Sequence, residues 1–243
     1  MKTNVLVMSI FMALLFGTMT SAEEADAWFL EVEMGASFPV GAFGDSDIES
    51  DDAGLAQTGF MGGVSGRFAL EDGFGVYGTY TVSIHGFDSD TRSDFIDDAS
   101  AAFPTLDWSL ATTSWIVNGV FVGPYIATTA SNFELILKGG IGIIVANSPE
   151  IELTASDGVN SRSVVQPSAV GVGFGYQIAG IAHYRFSDLM TAYVGLSFHG
   201  GETNHGDVET RVTSNGTTES TSQTSFKQNI AVMNIPLGVS FSF

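Results

Sequence analysis

Apolar and polar residues alternate with a period of two along most of the chain. Trp28, Leu30, Val32, Met34, Ala36 and Phe38 interleave with Phe29, Glu31, Glu33, Gly35 and Ser37. Such alternation puts successive side chains on opposite faces of an extended strand. The pattern returns over Phe60–Leu70, Phe74–Ile84, Trp115–Tyr125, Phe133–Val145, Val170–Phe186 and Ala192–Phe198. It closes the chain, where Ile235, Leu237, Val239, Phe241 and Phe243 oppose Asn234, Pro236, Gly238, Ser240 and Ser242. Eight strands are predicted, several near the roughly 9–11 residues that cross a bilayer at a tilt.

The connections are sorted by length. Glu71-Asp72-Gly73, Ala127–Asn132 and Ser187–Met190 are short; Pro39–Gln57, Gly86–Thr112, Asn147–Pro167 and Gly200–Ser225 are long. Ser93–Ala102 can form one or two helical turns, and 147–167 has room for a projecting hairpin. The Ser/Thr/Asn/Gly-rich stretch 200–225 reads as a loop. Long and short connections alternate, as in an antiparallel barrel with unlike rims. Lipid also demands closure, because an open sheet edge would leave backbone groups unpaired. The expected fold is all-β: a closed antiparallel up-and-down transmembrane β-barrel of eight strands. An edge strand of a soluble β-sandwich would explain the chain's ending, but not the sorted connections.

Composition agrees with a barrel wall. The chain holds 29 glycines and 19 phenylalanines in 243 residues, with no cysteine. After the N-terminus no apolar run is long enough for a membrane helix. Residues 1–22 read as a cleavable export signal: Lys2 opens it, Val5–Phe16 is its apolar core, and Thr20-Ser21-Ala22 supplies small residues before Glu23. Residues 23–243 are then expected to form one barrel domain.

The final strand, ending on Phe243 after Val239 and Phe241, resembles the closing strand of bacterial outer-membrane barrels. The whole mature chain is similar in architecture to the small OmpA/OmpX-type barrels. This resemblance implies a bacterial outer-membrane location, with periplasmic termini, extracellular long loops and contact with lipid and lipopolysaccharide. It also implies that Val239, Phe241 and Phe243 form the signal read by the barrel-assembly machinery. It supplies no functional motif. A monomer without cofactor is expected.

Charge refines the picture. Twenty-seven acidic residues against 8 basic ones give a net charge of −19, which argues against nucleic-acid binding. The excess lies in the long connections, with Asp45, Asp47, Glu49, Asp51 and Asp52 in one and Asp88, Asp90, Asp94, Asp97, Asp98 and Asp107 in the next. Divalent cations bridging these loops to anionic lipopolysaccharide are one consequence to consider. The inward parity of the strands carries Glu31, Glu33 and Glu134 against Arg67, Lys138 and Arg185, with Asn118, Gln177 and His183 beside them. In so narrow a lumen these charges either pair into a sealed network or line a selectivity filter.

Catalytic and metal chemistry find little support. Asp45–Asp51 spaces its carboxylates like a calcium loop, but Ser50 and Ala56 stand where glycine and glutamate are required. No helix follows the Gly171–Gly175 repeat, so it is no phosphate loop. His199, Glu202, His205 and Asp207 are close in sequence, as a chance cluster or a metal set. Ser83/His85 and Ser197/His199 share the inward parity, whereas a lipid-modifying enzyme needs such a pair facing lipid. The sequence therefore points to a non-enzymatic surface or structural protein, with a narrow channel as the alternative and a lipid A-modifying enzyme behind both.

Overall fold

A computed structural model describes residues 28–47, 50, 53–187 and 189–243. The export segment 1–22, the leader Glu23–Asp26, and Glu49, Asp51, Asp52 and Asp188 lie outside the described residues.

The elements are β1 (Trp28–Pro39), β2 (Ala56–Glu71), β3 (Phe74–Phe87), helix α1 (Ser89–Ala102), β4 (Asp107–Thr112), β5 (Trp115–Ala130), β6 (Phe133–Asn147), β7 (Ile151–Ser156), β8 (Ser161–Gln166), β9 (Val170–Arg185), β10 (Met190–Ser214) and β11 (Thr217–Ser242). Eight of these strands close a ring in the order β1-β2-β3-β5-β6-β9-β10-β11. Every neighbour in it is antiparallel. β11 returns to β1 with Val239 opposite Val32 and Phe241 opposite Leu30. Closure leaves the ring no edge.

The outer wall is bare of polar cover. Phe60 is 79% and Phe174 87% exposed, and Leu137, Ile141, Ile178 and Leu237 are exposed around the same belt. A water-soluble domain rarely carries so continuous an apolar exterior. Lipid covers it at no cost, which is the logic of a transmembrane barrel. No described helix is long and apolar enough to cross a membrane; the strands make the crossing.

Strand β5 departs from the sequence expectation. Trp115, Val117, Phe121 and Tyr125 fill the lumen, while Ile116, Val122 and Ile126 face outward. Asn118 therefore does not point inward; it accepts a hydrogen bond from Tyr80 Oη at 2.8 Å. Both parities of this strand are apolar, so alternation alone could not orient it. Volume decides: the large aromatic rings pack the lumen. Gly119, also inward, leaves room for the Phe121 ring and Thr81.

The expected loop 200–225 is instead strand. β10 and β11 run past the ring as one long hairpin, turning at Asn215 and Gly216. Both turn residues have positive φ, 49° and 76°, as a two-residue hairpin with the favoured twist requires. Beyond the ring β10 pairs with β8, β8 with β7, and β7 with β4. The result is a five-stranded sheet projecting from the long-loop rim. Helix α1 packs beside β4. It begins earlier than the sequence suggested because Asp88 caps it, accepting from the backbone N–H of Asp90 and Thr91.

The projecting sheet has two unlike faces, since residues directly opposite share a face. One row across it reads Ser109, Thr154, Ser163, Thr213 and Thr218. Ser109 and Thr154 share a hydroxyl hydrogen bond of 2.7 Å. The opposite face carries the row Leu110, Leu153, Val164 and Val212.

Candidate functional site: the filled lumen

The lumen has a charged half near the short-turn rim and a histidine-rich, aromatic half near the long-loop rim. Glu31 sits at the centre of the charged half, fully buried. Arg67 Nε donates to its Oε1 at 2.5 Å, and Lys138 Nζ donates to its Oε2 at 2.5 Å. The two oxygens are thus held from different sides, by β2 next to β1 and by β6 across the lumen. Arg67 Nη2 lies 3.6 Å from Glu134 Oε2, and Glu134 is itself 22% exposed. His183 stands 3.8 Å from Glu31 and 3.9 Å from Glu134, stacked at 4.8 Å on Tyr193. Rings shield the cations: Arg67 lies over Phe29 and Tyr125, and Lys138 over Tyr77.

Two of the six expected charges stand apart. Glu33 forms no ion pair within 4 Å among the described residues; Tyr193 Oη donates to its Oε2 at 3.3 Å. Arg185 is a correction to the interior set. It is the last residue of β9, exposed at the rim, and it joins no ion pair among the described residues. Inward parity there leads to the barrel mouth rather than into the network.

Between the halves, a cavity of about 10 Å³ touches Glu33, Lys138 and Gln177, which is room for about one water. Above it runs a neutral polar chain. Ser37 Oγ donates to Asn234 Oδ1 at 2.6 Å, and His85 Nε2 lies 3.0 Å from Ser83 Oγ and 3.3 Å from Ser37 Oγ. His199 Nδ1 approaches the Asn234 amide at 3.3 Å.

The outer mouth is closed by aromatic packing. Phe43, on the turn Gly41–Gly44, is fully buried with its ring 5.4 Å from those of Trp115 and His85. Trp115 Nε1 donates to Gly54 O at 2.8 Å, fixing this connection across the opening. His205 stacks on Phe226 at 4.5 Å, in space that Gly171 leaves by lacking a Cβ.

The residues proposed as chemistry do not converge. His199 and His205 point into the lumen, whereas Glu202 points out and pairs with Lys227 at 2.6 Å. Asp207 is exposed at a bulge. No group of three His, Cys, Asp or Glu among the described residues could hold a metal. Sequence reasoning missed the aromatic mouth, because Phe43 lies in a turn with no periodicity around it.

A closed eight-stranded ring, an apolar belt and a lumen filled by its own side chains define a transmembrane β-barrel of the outer-membrane type. No family model matches the chain, and no curated protein matches its sequence. Solved barrels are similar in outline. Neisserial surface protein A is 8% identical, over 89% of this chain and 99% of its own, with a TM-score of 0.48. A major outer membrane protein from Thermus thermophilus is 12% identical over 90% and 100%, at 0.47. The attachment invasion locus protein Ail of Yersinia pestis is 11% identical over 90% and 99%, at 0.42. At these scores the likeness transfers no residue role to this chain.

Proposed function

We propose that the protein is a non-enzymatic, sealed outer-membrane anchor that presents its projecting sheet at the cell surface. The observation that carries this reading is the continuation of β10 and β11 beyond the ring into a sheet with β8, β7 and β4. Three of the four long connections contribute strands to this sheet. The acidic connections around the sheet keep it hydrated, and its hydroxyl row is suited to polar surface contact. Ser83, His85, Ser197 and His199 are buried in the lumen, away from any lipid substrate, which favours a non-enzymatic role.

In this reading the chain is exported by residues 1–22 and its termini are periplasmic. Val239, Phe241 and Phe243 face outward at the strand's end, accessible as the signal to the assembly machinery. The barrel works as a monomer among outer-membrane lipid and lipopolysaccharide. Planar-bilayer recording of the refolded barrel tests the seal. A silent membrane supports the anchor; a steady current would make the protein a narrow channel.

A further inference from the structure

The outward face of β9 is interrupted. Phe174, Tyr176 and Ile178 project from it into the apolar belt, but Gly180 and Ala182 follow on the same parity before Tyr184 resumes at the rim. Gly180 stands opposite Leu137 on β6 and Leu196 on β10; Ala182 stands opposite Leu135 and Val194. Those four large side chains are exposed, so they wall a trough whose floor is one glycine and one alanine. Its volume is about 520 Å³, within the roughly 300–1,000 Å³ of small-molecule sites. Ile178 closes one end. At the other, the rings of Phe133 and Tyr184 meet at 5.1 Å, and aromatic side chains mark the headgroup level of a bilayer. The trough therefore begins just inside the short-turn rim and runs toward the bilayer centre.

Lipid surrounds this belt, so the trough is continuous with the lipid interface and its occupant is hydrocarbon. Adjacent strands lie about 4.8 Å apart, so walls on the strands either side of β9 leave a slot one chain wide. Elsewhere on the belt a lipid tail touches the barrel on one side; here it is touched on three. An empty slot would forfeit those contacts. The slot is long and narrow along the strand, the shape of a hydrocarbon chain and not of a side chain protruding from a second barrel. We propose that the trough holds one acyl chain of a phospholipid from the leaflet at the short-turn rim, retained while the lipids around it exchange. The choice of leaflet rests on the periplasmic placement of the short turns.

The test is native mass spectrometry of the barrel extracted gently from outer membranes, with its own lipids as the probe. Wild type should keep one phospholipid under collisional activation that strips the rest. Gly180→Leu fills the floor without strain, because a Cβ there meets only Leu137 Cδ2, at 3.5 Å. It should retain roughly tenfold less lipid, the worth of about ten lost carbon–carbon contacts. If that variant does not fold, Ala182→Leu fills the same floor and should act alike. Phe60→Leu, on β2 across the ring from β9, should retain as much as wild type. Equal retention in wild type and the filled variants, an equal loss in Phe60→Leu, or retention of lipid A or of a second barrel in place of phospholipid would each overturn the assignment. Failure of the sealed-anchor reading shows separately, as current in planar bilayers.

Discussion

Arg67 on β2 and Glu31 on β1 meet at 2.5 Å inside the barrel wall, both side chains almost wholly shielded from solvent. They are joined across adjacent strands, so the pair ties the start of the chain to the ring. Breaking a buried pair by removing one partner strands the other charge, at about 3–5 kcal/mol. Arg67→Ala should therefore lower the refolding free energy by that amount in lipid vesicles. Arg211→Ala, whose exposed partner Glu209 lies 2.7 Å away, should change it by under about 1 kcal/mol. A stable Arg67→Ala with altered ion selectivity would refute the sealed lumen.

The belt predicts a second contrast. Leu137 is 59% exposed on the outer wall, and its neighbour Ile136 is fully buried in the lumen. Leu137→Arg should cost about 2–4 kcal/mol near the bilayer midplane. Val172→Arg, on the same parity, should also destabilise, by less if it lies nearer the interface. Urea titrations of vesicle-refolded protein measure both, and unchanged free energies at both sites would reverse the assigned faces.

Topology is open to labelling. The turn at Asn215–Gly216 lies at the tip of the projecting hairpin, and the β9–β10 connection lies at the opposite rim. An epitope inserted at Asn215 should be reached by antibody on intact cells. One at Asp188 should be reached only after the membrane is opened.

Helix α1 should respond to acid. Asp88 accepts the Thr91 backbone N–H at 2.9 Å, and this bond, the largest cause, holds its carboxyl below the ordinary aspartate range. The folded group is thus the stronger acid. Its stabilising effect is full above the unfolded value of about 3.9 and is lost as pH falls through the lower folded value. Hydrogen exchange of α1 should accelerate below that range. Asp88→Ala should accelerate it already at neutral pH, by about 0.5–2 kcal/mol of lost capping. Equal protection of α1 in wild type and variant would remove Asp88 as its cap.

The barrel itself was written in the alternation. A ring whose two faces meet lipid and a narrow lumen must repeat every second residue, and seven of the eight ring strands carry that signal with unlike faces. β5 did not, because Trp115, Phe121 and Tyr125 are as apolar as the lipid-facing Ile116 and Val122; only the volume of the lumen orients it. Asn215-Gly216 was a legible hairpin turn inside a stretch whose polarity suggested a loop. On β10 and β11 beyond the ring the apolar face of the sheet is marked by residues such as Val212 scattered among Ser, Thr and Glu, too sparsely to stand out as alternation. The charges shared a parity in sequence, but parity is blind to depth. It could not tell that Glu31, Arg67 and Lys138 meet while Arg185 stops at the rim. Those distances depend on strand tilt and register around the closed ring, which set neighbours across four strands and are fixed only when the last strand pairs with the first.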